Sequence, residues 1–277
     1  MEKHELEYYK SQNYLFEGLL CLDYQNRKEF ETKLQEIRDI PIYKFMNLSH
    51  VISMIQNRKL WISKVSTWDD VYENILFKQN FFHNIDGGIV PVDISTVGNN
   101  IFGQCWTSQQ ESDAMWRIYS LDKNNYAVRI KTTIGKLMDA AFVSPQAVPT
   151  VFVGEVSYVD NLDITRILSK YVQDGLQLQS SMREYAQLLL LKRKEFEHEK
   201  EIRLIISEDT SFSSDHIELP IDPLLFIDEI TLDSRLAPES PEYFIYHSAL
   251  LSTGFTSGKV NRSTLYDLPA PVDIKIL

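Results

Sequence analysis

Two carboxylates and a guanidinium alternate in the segment Glu199-Lys200-Glu201-Ile202-Arg203. On a β-strand, period-two alternation places Glu199, Glu201 and Arg203 on one face and Ile202 and Leu204 on the other. Paired carboxylates at that spacing suit a reaction with an oxocarbenium-like sugar transition state. One anion stabilises the developing positive charge, and the other orients or deprotonates the incoming group. Cleavage of the N-glycosidic bond of NAD belongs to that class. Arg203 beside them can keep Glu201 ionised, because an opposite charge at contact distance lowers a carboxyl pKa. The same pattern also describes a charged, solvent-facing strand edge, and spacing alone does not separate the two.

A second cluster is aromatic. Cys105-Trp106-Thr107-Ser108 is followed by Met115-Trp116-Arg117-Ile118-Tyr119, a strand end and a short helix whose rings can stack on a nicotinamide or an adenine. Met115, Ile118 and Tyr119 also fall at helical spacing, as a packed core helix would have them. Other chemistries lack their residues. Gly135-Lys136 is followed by Leu137, so there is no phosphate-binding loop, and neither a dinucleotide glycine fingerprint nor a Gly-x-Ser-x-Gly elbow occurs. The six histidines show no paired ligand spacing, so no metal site is expected. His198 alone sits beside candidate acids.

The elements that must position these residues follow from local pattern. Leu6 to Arg38, rich in Glu, Lys, Gln and Leu, predicts a helical N-terminal extension over residues 1–38. Pro41 opens a single α+β domain over 39–277. Ile42–Phe45 predicts a strand, Ser49 a cap for a helix through Val51, Ile52 and Ile55, and Leu60–Ser63 a second strand. Turn residues make 78–100 a loop-rich insertion. Strands follow at Ile101–Thr107, Tyr126–Lys131 and Val151–Val156, with a short helix at Ser112–Tyr119. Ile164 to about Phe196 predicts helix interrupted near Asp174-Gly175, then a strand from Glu199. Ile217–Leu219, Phe226–Leu232 and Val272–Ile276 complete the pattern.

Composition bounds the setting. The 277 residues, 44% hydrophobic and 24% charged, are ordinary for a packed protein. A net charge of −11 repels phosphate backbones, which disfavours non-specific nucleic-acid binding unless a groove is locally basic. Lys192-Arg193-Lys194 is the one tight basic cluster, and a solvated helix face is its simplest description. Two cysteines rule out a disulfide framework and fit a reducing cytoplasm. The charged start Met1–Glu5 and the lack of any long apolar run lead to the expectation of neither secretion nor membrane insertion.

In order, these blocks resemble the bacterial family called domain of unknown function 2971. Its signatures are a Tyr-Lys strand, an Asn-Asp-Pro-x-Glu turn, a Cys-Phe-Ser block with Met-Trp/Tyr, and a closing Glu-x-Glu-x-Arg strand. Here they read Ile42-Tyr43-Lys44-Phe45, then Trp68-Asp69-Asp70-Val71-Tyr72-Glu73, then Cys105-Trp106-Thr107 with Met115-Trp116 and Tyr119, and finally Phe196 with Glu199, Glu201 and Arg203. The match spans roughly residues 41–207. Asp69 replaces the usual Asn, Val71 the Pro, Thr107 a Ser and Phe196 a Trp, and Asn125 stands where the family has Gly.

That layout looks like the three-part arrangement of ADP-ribosyltransferases, including DNA-modifying toxins found beside antitoxins. The resemblance implies a mainly antiparallel α+β core flanked by helices, and NAD as substrate. Glu201 would be catalytic and Glu199 would orient the acceptor. Tyr43, Lys44, Ser63, Thr107, Met115, Trp116, Tyr119 and Arg203 would shape the NAD site, with Arg203 as structural support. It further implies a toxin or effector of phage defence or a toxin–antitoxin system, with a possible antitoxin partner. The toxin likeness puts a nucleic-acid acceptor slightly ahead of a protein, whereas the acidic charge favours protein. Two alternatives stay open: an inactive module that binds a nucleotide or a protein, and a carboxylate-dependent nuclease or glycosidase. A nuclease would need Asp69, Asp70 and Glu73 to hold a metal.

Overall fold

The computed structural model describes residues 34–70, 72–78, 81–85, 88–92, 95–120, 125–142, 150–174, 182–207 and 214–269, with Thr32. Along the chain the elements are β1 (Pro41–Asn47), α1 (Leu48–Asn57), β2 (Lys59–Lys64), β3 (Phe81–Ile85), β4 (Gly88–Val92), α2 (Ser95–Gly98), β5 (Ile101–Thr107), α3 (Asp113–Ile118), β6 (Ala127–Thr133), α4 (Ile134–Phe142), β7 (Thr150–Glu155), β8 (Ser157–Val159), α5 (Asn161–Asp174), α6 (Met182–Leu188), β9 (Leu191–Arg193), β10 (Glu201–Ser207), β11 (His216–Pro220), α7 (Pro223–Phe226), β12 (Glu229–Leu232), α8 (Pro241–Leu251) and β13 (Val260–Arg262). This is an α+β protein whose strands pair mainly antiparallel. Among the described residues no helix is long and apolar enough to cross a membrane.

The chain divides into two compact units. The first takes Met1–Ile42, Arg58–Gln109 and Thr133–Ile221, and the second Tyr43–Asn57, Gln110–Thr132 and Asp222–Leu277. In the first, strands run β7-β10-β5-β2-β11, each pair antiparallel. β10 is buried along its whole length, and its run Ile202-Arg203-Leu204-Ile205-Ile206 has the continuous apolar character of a strand covered on both faces, Arg203 excepted. One face carries a core of Ile101, Phe152, Ile205, Phe77 and Tyr185 with the leucines 188–191. Gly154 admits that cover, since a Cβ there would lie 2.4 Å from the Leu190 side chain. In the second unit β12 pairs antiparallel with β6 and parallel with β13, and Phe45, Met115, Trp116 and Ala127 form a small core.

Most expected elements are present, with four differences. Asn47, not Ser49, caps α1, because its Oδ1 accepts from the His50 N–H at 2.9 Å. The helix expected to reach Phe196 stops at Leu188. Leu191–Arg193 is instead a strand pairing in parallel with β8, which buries Leu191. Glu199 ends a 3₁₀ turn, Lys194–Glu199, rather than starting the strand. Phe226 ends the one-turn helix α7, whose first turn is capped by Asp222 at 3.1 Å to the Leu224 N–H. Within the insertion expected over 78–100, β3 and β4 form a hairpin. Most of the N-terminal extension, the Asp86-Gly87 turn and Val272–Ile276 lie outside the described residues.

Candidate active site

Strand register assembles the site. Glu201 lies opposite Thr107 and Arg203 opposite Cys105 across the β10–β5 ladder, so these four share one face. Just before β10, Lys200 adopts the left-handed conformation at φ 45° and donates its N–H to the Glu197 carbonyl. For a residue with a Cβ that conformation costs roughly 1–2 kcal/mol. The Lys200 carbonyl accepts the Ser108 N–H at 2.9 Å. Glu199 therefore does not share the strand face with Glu201, but its carboxyl still reaches the same centre.

That centre is an ammonium. Lys192 Nζ lies 2.5 Å from Glu201 Oε1, 2.6 Å from Glu199 Oε2 and 3.0 Å from Glu73 Oε1. Arg203, fully buried, donates from Nε to Glu201 Oε2 at 2.7 Å, from one terminal nitrogen to the Leu189 carbonyl at 2.6 Å, and from the other to Glu73 Oε1 at 2.5 Å. The Trp68 ring covers its guanidinium at 4.7 Å. Gly103 makes room for that ring, since a Cβ there would stand 2.4 Å from Trp68 Cζ2. Tyr158 closes the strand end by accepting the Glu201 N–H at 2.8 Å.

The electrostatics push the two sequence-predicted carboxyls apart. Burial alone would raise the Glu201 pKa, but the Arg203 charge, the hydrogen bond from Glu199 and the Lys192 charge together hold it well below the carboxylate range. At Glu199 burial comes first, then the hydrogen bond to Glu201, and together they overcome Lys192 and raise the carboxyl to about 8. Burial would lower Lys192, yet Glu201 and Glu73 raise it and keep the ammonium charged. Arg203 is raised in the same way, its burial outweighed first by Glu201. Burial raises the Tyr158 phenol as well, ahead of the opposing hydrogen bond to the Glu201 backbone. Two adjacent carboxyls of opposite protonation, one enclosed and one at the margin with its side chain 15% exposed, have the arrangement that acid–base chemistry would use.

The remaining predicted residues distribute as follows. Thr107 is buried, and its Oγ1 accepts the Gln109 N–H at 3.0 Å. Ser63 Oγ accepts from Trp68 Nε1 at 3.3 Å, which steadies the ring over Arg203. Tyr43, Lys44, Met115, Trp116 and Tyr119 belong to the second unit. There Tyr43 is buried against the Arg129 guanidinium at 5.0 Å, and Lys44 is half-buried. Met115 and Trp116 are core residues, Trp116 meeting Phe45 edge-on at 4.8 Å and donating to Glu111 at 3.1 Å. Tyr119 stacks on Phe45 at 6.1 Å. Of the three acids a nuclease would use, two are paired with cations: Asp70 with Arg193 at 3.0 Å, and Glu73 with Arg203 and Lys192.

Sequence reasoning missed Lys192. The basic triplet suggested a solvated helix face, whereas Lys192 is 7% exposed on β9. The available signal was the apolar run Leu188–Leu191 directly before it, which a surface segment would not carry.

By its pairing and layering the protein is of the α+β class, mainly antiparallel with flanking helices. In structure it is similar to DarT of Thermus sp. 2.9 in complex with NAD+, at a TM-score of 0.36 and 11% identity over 81% of this chain and 95% of that one. The same protein in complex with carba-NAD+ gives 0.34 and 10%, over 80% and 94%. No family model and no curated protein sequence matches the chain.

Proposed function

We propose that the protein is a NAD-dependent ADP-ribosyltransferase. The observation that carries this reading is the Glu199–Glu201 pair, in which one carboxyl is fixed as an anion and its neighbour is raised to about 8. Transfer breaks the bond between the nicotinamide nitrogen and the ribose C1′, and nicotinamide leaves with the bonding electrons. The ribose is left with oxocarbenium character that a fixed anion stabilises. The Glu201 carboxylate accepts from Lys192, Arg203 and Glu199, which leaves one of its four lone pairs for a ribose hydroxyl. An acceptor nucleophile then attacks C1′ and gives its proton to Glu199 in the carboxylate form. A pKa near working pH suits that exchange.

The wider role follows from the sequence resemblance: a toxin or effector of phage defence or a toxin–antitoxin system, with a nucleic-acid base placed ahead of protein as acceptor and an antitoxin as partner. Tyr43, Lys44, Met115, Trp116 and Tyr119 are proposed, on the same resemblance, as residues that contact NAD.

Purified protein incubated with NAD and cell extract should release nicotinamide and leave ADP-ribose on a macromolecule, and Glu201→Gln should not. Digestion with nuclease or protease then identifies the acceptor class. Equal behaviour of wild type and variant, with no NAD consumed in the presence of extract, refutes the proposal.

A further inference from the structure

Lys192 donates to two carboxyls, Glu201 at 2.5 Å and Glu199 at 2.6 Å, and forms an ion pair with a third, Glu73, at 3.0 Å. The Phe196 ring lies 4.7 Å from the nitrogen and limits its access to water. The three acids come from separate parts of the unit: a turn before β3, the end of a 3₁₀ segment, and the first residue of β10. A buried cation satisfied in this way fixes the mutual distance of its partners, because moving any one of them breaks a charge-assisted bond in a low-dielectric setting.

We propose that Lys192 is a positioning residue of this site, a three-way clamp that holds Glu199 against Glu201 and is itself braced from behind by Glu73. The inference deepens the transferase reading and rests on it for its catalytic meaning, but the clamp is testable without turnover. The groups that act on Glu199 are Glu201 from β10 and Lys192 from β9; Arg203 and Glu73 act in turn on Lys192, Tyr158 from β8 bonds the Glu201 backbone, and Cys105 on β5 acts on Arg203. Of these, Lys192 is the cation that contacts Glu199 directly. Its presence opposes the protonation that burial and Glu201 favour.

Removing the clamp therefore shifts the titration of Glu199 in one direction. In protein labelled with 13C at glutamate carboxyls, with the Glu199 signal assigned from Glu199→Gln, Lys192→Met should move the Glu199 midpoint to higher pH by about one pH unit or more, the size expected for loss of a contacting opposite charge. Lys192→Arg preserves the charge, but a planar fork cannot serve three converging carboxylates, so its midpoint should move the same way by less. Because the arginine variant keeps the site charge-balanced, it remains informative if the methionine variant does not fold. In the same proteins the rising limb of the pH profile for nicotinamide release should follow the Glu199 midpoint. A Glu199 midpoint that stays in place in the folded variants overturns the clamp, whatever the activity. An upward shift in the variants, with a wild type that consumes no NAD in the presence of extract, supports the clamp and removes the transferase reading instead.

Discussion

Arg203→Met tests whether the buried network holds the first unit together. Arg203 is fully enclosed and serves three acceptors, the Glu201 and Glu73 carboxylates and the Leu189 carbonyl, while Trp68 covers its face. Methionine fills similar space but leaves two buried carboxylates sharing one remaining cation and strands a carbonyl. Breaking a buried ion pair from one side costs roughly 3–5 kcal/mol, and an orphaned buried carbonyl roughly 1–3 kcal/mol. These losses share one side chain and do not add fully, so a total of about 4–6 kcal/mol is expected. In a chain of this size that lowers Tm by roughly 10–20 °C. Urea unfolding followed by circular dichroism, with thermal melts alongside, measures it. Adding Glu73→Gln to Arg203→Met should recover part of the loss, because one uncompensated charge is removed. A cost below about 1 kcal/mol, the value typical of an exposed pair, would refute the buried-network reasoning.

Two further outcomes follow from the same geometry. Glu199 is raised to about 8 by burial and Glu201, so its contribution to stability is full below the unfolded-state carboxyl value and is lost as pH rises through about 8. Tm should accordingly fall between about pH 5.5 and about pH 8.5, and Glu199→Gln should flatten that slope. Glu201 has the opposite sign: its depressed pKa gives stability that persists down to strongly acid pH and is lost only as pH falls through the folded-state value. A wild-type melt that does not depend on pH across the upper window contradicts the assignment. Gly103→Ala should drive a methyl group into Trp68 and cost about 1–3 kcal/mol by overpacking. A change in tryptophan emission as the ring leaves Arg203 is the accompanying signal, and a neutral substitution with unchanged emission would show that the ring is not held there.

Some of this site was legible in the sequence because its determinants are local. Glu201 and Arg203 alternate on a strand, and the alternation was visible without a fold. The short helix expected at Ser112–Tyr119 is present as α3, with Ser112 as its cap accepting the Met115 N–H at 3.2 Å. The expected boundary at Glu199 failed for a local reason that composition hides. Lys200 sits at positive φ without being Gly, Asn or Asp, the residues that announce such a turn. Lys192 and Glu73 failed for a different reason. Glu73 meets Arg203 across 130 residues of sequence, and no spacing rule reaches that far. A lysine among basic neighbours carries the same local signature whether water or buried carboxyls receive its protons. What separates the two cases is the cover above it, which the leucines at 188–191 supply and Gly154 allows by letting Leu190 approach β7. The catalytic proposal thus rests on two residues that pattern could find, while the ionised state of Glu201 rests on Arg203, which pattern placed beside it, and on Lys192, which only the fold brings there.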